Sequence, residues 1–84
     1  MQTKRRPVHA YVLLNVRAGK SKIVAHAIAA MDGVRMAHAC WGVPDVIAFV
    51  EVGSQRELDM LVMDKIQKMN GVERTDTQDR KSVV

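Results

Sequence analysis

Few side chains in this 84-residue chain could do chemistry, and the best placed of them is Asp45. It closes Gly42-Val43-Pro44-Asp45, which combines a residue free to take positive φ, a proline that fixes φ and lacks an N–H, and a carboxylate at the start of the most apolar run in the sequence. Such a turn points a carboxylate outward from a rigid strand end. Two roles are open to it: a turn-former that accepts from nearby backbone N–H groups, or a binding carboxylate for a ligand's ammonium group. In the second role Trp41 stands beside it, and the hydroxyls of Thr75 and Thr77 serve the ligand's polar end.

The other reactive residue types do not assemble. His9, His26 and His38 fall on different expected elements, and no serine or cysteine carries a nucleophile motif. There is no Gly-rich phosphate loop, no paired-carboxylate pattern and no metal-ligand spacing. The sequence therefore offers no catalytic residue, no metal site and no cofactor site. Cys40, the only cysteine, has no intrachain partner and reads as an inert thiol buried inside a strand.

The elements that must hold Asp45 in place can be read on either side of it. From Val46 to Val52 six of seven residues are apolar and four are valine or isoleucine, the pattern of a strand buried on both faces in the middle of a sheet. From Val8 to Val16 one alternating set (Val8, Ala10, Val12, Leu14, Val16) is wholly apolar and the other (His9, Tyr11, Leu13, Asn15) half so. Gly19 ends the following turn, and Lys20 to Met31 has helical spacing, with Ile23, Val24, Ala27, Ala30 and Met31 as its apolar stripe, Ala25 and Ala29 opposite, and His26 at the rim. Asp32-Gly33 closes that helix, and a second strand runs from Val34 to Trp41, turning through a loop of about four residues into Val46. Ser54-Gln55-Arg56-Glu57 is a capping box opening a second helix whose stripe is Leu58, Leu61, Val62, Ile66 and Met69. Asn70-Gly71 stops it, and Val72 to about Asp79 alternates Glu73, Thr75, Thr77 and Asp79 against Val72, Arg74, Asp76 and Gln78. A strand that polar on both faces belongs at an edge.

Met31-Asp32-Gly33-Val34-Arg35 recurs as Met69-Asn70-Gly71-Val72-Glu73, so the chain is two strand-helix-strand halves. This is the α+β, ferredoxin-like βαββαβ pattern: an antiparallel four-stranded sheet with both helices on one face. Right-handed crossovers place the first and third strands at the centre. The uncovered face then leaves Tyr11, Leu13, Ile47 and Phe49 in water, and a second subunit packed against it removes the problem.

Composition bounds the rest. The length suits one small domain, expected over residues 8–84 after a basic flexible tail at residues 1–7. Hydrophobic residues make up 48% and aromatics 4%, so the core is aliphatic and thin, which again favours association. Much of the +4 net charge sits in Lys4-Arg5-Arg6, and the central strands lack the basic and aromatic interleaving that RNA-binding domains of this topology need. Alone, the chain is expected to show only weak, salt-sensitive binding to nucleic acid. His9, Asn15 and Arg17 interrupt any signal-peptide core, and no segment approaches a membrane span, so the expected location is the cytoplasm.

Several stretches together resemble one family. Ala10-Tyr11-Val12-Leu13, Gly33-Val34, Gly42-Val43-Pro44-Asp45-Val46-Ile47-Ala48 and Gly71-Val72-Glu73-Arg74-Thr75-Asp76-Thr77 are similar to the ligand-binding (RAM) domain of Lrp/AsnC-type regulators, over about residues 8 to 79. Family members usually carry an N-terminal helix-turn-helix, for which this chain has no room, so the resemblance implies a stand-alone form. It also implies a non-enzymatic sensor acting in transcription regulation, with a small effector, typically an amino acid, bound between dimers at the loop before the third strand. Dimers in the family often form octameric rings, and mixed assembly with a full-length Lrp/AsnC-type regulator is implied. By position, Gly42, Val43, Pro44 and Asp45 would form the ligand loop, flanked by Trp41, with Thr75 and Thr77 from the edge strand; the chain departs at Pro44, where many members have a tyrosine or another bulky residue. Two other readings share the topology: a NapD-like chaperone for twin-arginine signal peptides, and a small dimeric α+β barrel enzyme with His38, Trp41 or His9 lining a cavity.

Overall fold

In the computed structural model residues 7–79 are described, and Lys4-Arg5-Arg6 lies outside them. The alternation at the start becomes strand β1 (Val8–Val16), with Ala10, Val12 and Leu14 fully buried on one face and His9, Tyr11, Leu13 and Asn15 half-buried on the other. Helix α1 (Ser21–Ala29) leads to strand β2 (Val34–Ala39), then strand β3 (Val46–Val52), helix α2 (Gln55–Met60) with a π-helical continuation (Leu61–Ile66), and strand β4 (Val72–Asp79). All neighbouring strands are antiparallel and the order is β2-β3-β1-β4. The two most apolar strands are therefore central, as the hydrophobic ranking and the crossover rule require.

One face carries the core. Leu14 faces Val46, Val12 faces Ala48 and Ala10 faces Val50 across the β1–β3 pair, and Val24, Ile28, Leu58, Leu61, Val62 and Ile66 close over them. On the opposite face Ile47 and Phe49 of β3 remain half-exposed, the side chains that the expected topology leaves on the uncovered side of a single chain. Phe49 stacks on His9, with ring centroids 5.7 Å apart, and tilts against Tyr11 at 5.0 Å. With Leu13, Ile47 and Met36 this is an apolar stripe on an uncovered sheet.

The inward face of α1 differs from the expected stripe. Val24, Ala25 and Ile28 are buried, whereas Ile23 is 63% exposed and Ala30 is exposed. Val24 and Ile28 lie one turn apart, and the pair of large side chains sets the rotation, while a stripe built on small alanines has little area with which to oppose it. The helix also ends before Met31, because the N–H groups of Ala30 and Met31 bond the carbonyls of Ala27 and Ile28 and tighten the last turn. Gly33 follows with φ +91°; a Cβ there would meet Val52 Cγ1 at 3.0 Å, so both conformation and space demand glycine.

The second helix begins as read. The Ser54 hydroxyl accepts from the Glu57 N–H (3.2 Å), and the Glu57 carboxylate accepts from the Gly53 N–H (2.8 Å), one residue earlier than the usual reciprocal partner. Leu58, Leu61, Val62 and Ile66 are buried and Met69 partly so. From Leu61 the helix widens, the Gln67 N–H reaching the Val62 carbonyl at 2.8 Å. Bonding at i→i+5 brings Leu61 and Ile66 closer to one line than 3.6 residues per turn allows, so both can face the sheet.

Candidate ligand-binding site

The loop before β3 is longer than a four-residue turn. β2 ends at Ala39, opposite Val46, and residues 40–45 form the connection, closed at its base by the Cys40 N–H on the Asp45 carbonyl (2.8 Å). Gly42 takes φ +97°, and the Val43-Pro44 bond is cis. Neither Gly42 in this conformation nor Pro44 without its N–H can extend the ladder, which widens the turn. Cys40 consequently lies outside the strand and is half-buried, its Sγ 3.8 Å from the His38 carbonyl. Trp41 (101% exposed) and Val43 (88%) project from the tip.

Asp45 fastens this loop to β1. Its N–H donates to the Leu14 carbonyl (2.9 Å), and its Oδ2 accepts from the Val16 N–H (2.8 Å). The carboxylate is thus engaged with the backbone, the first of the two roles its position allows. Of the two outcomes, a brace is what the geometry provides.

The brace holds Val43 and Pro44 over a hollow of about 340 Å³, lined also by Leu13, Asn15, Arg74, Thr75 and Asp76. Pairing explains which side chains reach it. Asn15 faces Arg74 and Leu13 faces Asp76 across the β1–β4 pair, on the uncovered face. Thr75 and Thr77 face Leu14 and Val12 on the helix side, and the Thr75 hydroxyl accepts from the Gln67 side chain at 2.8 Å. Of the residues singled out in sequence, Val43, Pro44 and Thr75 line the hollow, whereas Trp41, Gly42, Asp45 and Thr77 do not. Arg74, Asp76, Asn15 and Leu13 are the additions. The signal for them was hidden by a bulge between Asn15 and Val16, where Val16 pairs with Val72 and Asn15 with Arg74, leaving Glu73 unpaired. Beyond it the parity flips, so Val72 joins the core while Arg74 and Asp76 face the other way.

A larger concavity, about 720 Å³, lies between the end of β3, the Asp32-Gly33 turn and α2, lined among others by Arg35, Glu51, Glu57, Asp64 and Lys65. Two of its carboxylates are already used: Glu57 caps the helix, and Glu51 lies 3.7 Å from Arg35 and 3.6 Å from His9. In the smaller hollow the side chains of Arg74 and Asp76 make no hydrogen bond or ion pair to a described residue.

A small antiparallel α+β sandwich with its helices on one face, the other sheet face bare and a braced loop at its margin is the ferredoxin-like arrangement. The Lrp/AsnC ligand binding domain model matches residues 9–78, and the chain belongs to that family. It is similar to a solved protein of Thermus thermophilus, TTHA0845, at 30% identity with a TM-score of 0.85, covering 92% of this chain and 96% of that one. It is likewise similar to the hypothetical protein PHS023 of Pyrococcus horikoshii, at 32% identity and a TM-score of 0.83, covering 90% and 92%. The fold is shared at 16% identity with the transcriptional regulator NMB0573 of Neisseria meningitidis, solved with L-Met; the TM-score is 0.76, and the match covers 89% of this chain but 50% of that one. Among curated proteins nothing matches the chain. Among the described residues no helix is long and apolar enough to cross a membrane.

Proposed function

We propose that this chain is a sensing and assembly module of transcription regulation, which binds a small molecule of the amino-acid class in the hollow under Val43 and Pro44 and couples its occupancy to association. The observation that carries the reading is the brace: two bonds from Asp45 to β1 hold the loop over Arg74 and Asp76, whose charges are free. Family membership supports a regulatory ligand-binding role, and the Neisseria regulator solved with L-Met supports the amino-acid class. The uncovered stripe of Phe49, Tyr11, Leu13 and Ile47 supports a homodimer, since burying large apolar side chains at about 25 cal/mol per Å² favours association. Rings of dimers and mixed assembly with a full-length regulator extend the same surface logic. Membership of a ligand-binding domain family supports a role without catalysis.

The test is mass in solution, at micromolar protein, with and without each of the twenty L-amino acids. A dimer or larger assembly whose mass or stability responds to particular amino acids is expected. A folded, soluble monomer indifferent to all of them would overturn the proposal.

A further inference from the structure

We infer that the end of the domain bearing Trp41 is a docking surface for single-stranded nucleic acid, bound without regard to sequence: Trp41 stacks on an unpaired base, and the cations around it hold the phosphates. Trp41 is the sole tryptophan and is 101% exposed, on a loop that cannot readily fold it away. Asp45 bonds Leu14 and Val16, the Cys40 N–H closes the base of the loop, and Gly42 and Pro44 shape its tip. A ring in water on a fastened loop is presented at little ordering cost, and stacking on an unpaired base needs only such an open face.

The topology brings cations to the same end. β1 stops at Val16 beside Asp45, and Arg17 follows, its N–H on the Gly71 carbonyl at 2.7 Å. The Lys20 N–H bonds the Arg17 carbonyl at 3.0 Å, and the Lys20 Cγ lies 3.3 Å from where a Cβ would stand on Gly71. Lys22 is in the first turn of α1, which contains no acid. Lys68 precedes Gly71 in the chain, and Arg74, opposite Asn15, borders the hollow under Val43 and Pro44. Arg17, Lys22, Lys68 and Arg74 are all exposed. The acids at this end are Asp45, with one oxygen engaged on the Val16 N–H, and Glu73 and Asp76 on β4, so cations are in excess.

That excess is local. Asp32, Glu51, Glu57 and Asp64 line the larger concavity at the far end of β3, whose seven residues separate the two ends by about 20 Å. Exposed charges are screened within about 8 Å at physiological salt, so the distant acids do not cancel the field around Trp41. A positive end with a bare aromatic ring fits an anionic polymer whose bases are unpaired. A duplex hides its base faces, and a small anion leaves Trp41 in water.

Because Trp41 is the only tryptophan, its fluorescence reports contact at this end and not at Lys4-Arg5-Arg6. The full chain is titrated with an oligothymidylate of about twelve nucleotides, with a duplex of the same length and with heparin, following Trp41 emission, and in parallel the anisotropy of an end-labelled strand. Quenching of Trp41 that tracks anisotropy is expected for the single strand, with weaker binding of the duplex. The logarithm of the affinity should fall against the logarithm of salt with a slope of about −3 if four of the cations each neutralise a phosphate, and Lys22→Gln should lower that slope by about 0.7. Trp41→Ala should weaken binding by about five- to a hundredfold and Trp41→Phe by clearly less, and the ring's full exposure leaves the fold unaffected by either change. Anisotropy that saturates without a change in Trp41 emission, or a Trp41→Ala affinity equal to the parent's, places the strand elsewhere and overturns the inference. So does an absence of binding at about 50 mM salt, or equal quenching by heparin, which would make this a surface for polyanions and not for bases.

Discussion

Replacing Asp45 separates bracing from binding more sharply than any other change. Asp45→Ala removes the acceptor of the Val16 N–H, and Val16 is only 6% exposed, so water replaces that partner poorly. A hydrogen bond to a charged group contributes about 1.5–3 kcal/mol, and the lower half of that range applies here because Asp45 is half-buried. For a domain of this size each kcal/mol moves the melting temperature by about 4–8 °C, so Asp45→Ala should melt about 6–18 °C lower. Asp45→Asn keeps a neutral acceptor in the same place and should lose about half as much. Melting and urea unfolding must be compared at several equal protein concentrations, because association adds a concentration-dependent increment to apparent stability. Affinity of Asp45→Asn for the best amino acid should stay within about threefold of the parent, the charge of Asp45 being spent on the backbone. Unchanged melting in Asp45→Ala together with a tenfold loss of affinity in Asp45→Asn would refute the brace and return the ammonium-binding role to this residue.

Two further outcomes follow from packing. Gly33→Ala should destabilise the fold by about 2–3 kcal/mol in urea titration, clearly more than Gly42→Ala at about 1–2, since both glycines have positive φ but only Gly33 has Val52 Cγ1 at 3.0 Å from the added methyl. Phe49→Asp or Leu13→Asp should give monomers or insoluble protein by sedimentation, because each places a charge in the apolar stripe of the open sheet face; a stable dimer in both variants would exclude that face as the interface.

How much of this was legible in the chain depended on whether one period ran unbroken. β1 and β3 alternate without interruption, so their core sets, and the central position of both strands, could be read directly. The second helix was equally plain, because Leu58, Leu61, Val62 and Ile66 are large and Ser54 and Glu57 mark its start. α1 was misread because its alanines give a helical wheel little contrast, and Ile28 decided the face. At β4 the difficulty was different in kind. A bulge is one unpaired residue, which alternation counted along a single strand cannot detect, and at Glu73 it reversed the side on which Arg74, Thr75, Asp76 and Thr77 stand. The loop before β3 was found by its glycine, proline and aspartate, but the use of that aspartate depended on where β1 ended, a relation between segments 29 residues apart.

These features meet at the Val43-Pro44 turn. Pro44 and Val43 roof the hollow, Trp41 stands at the exposed tip two residues before Val43, and Asp45 pins the base of the same loop to β1. The loop is held at both ends, by β2 and β3 and by the Cys40 N–H on the Asp45 carbonyl, so Val43 and Trp41 at its exposed tip are its least constrained part. The hollow opens on the uncovered face of the sheet, the surface a second copy would occupy. If assembly strengthens ligand binding by some factor, the ligand must strengthen assembly by the same factor, each tenfold being about 1.4 kcal/mol. The hollow under Val43 and Pro44 and the apolar stripe a second copy would cover lie on one face, and Asp45 holds the loop that borders both.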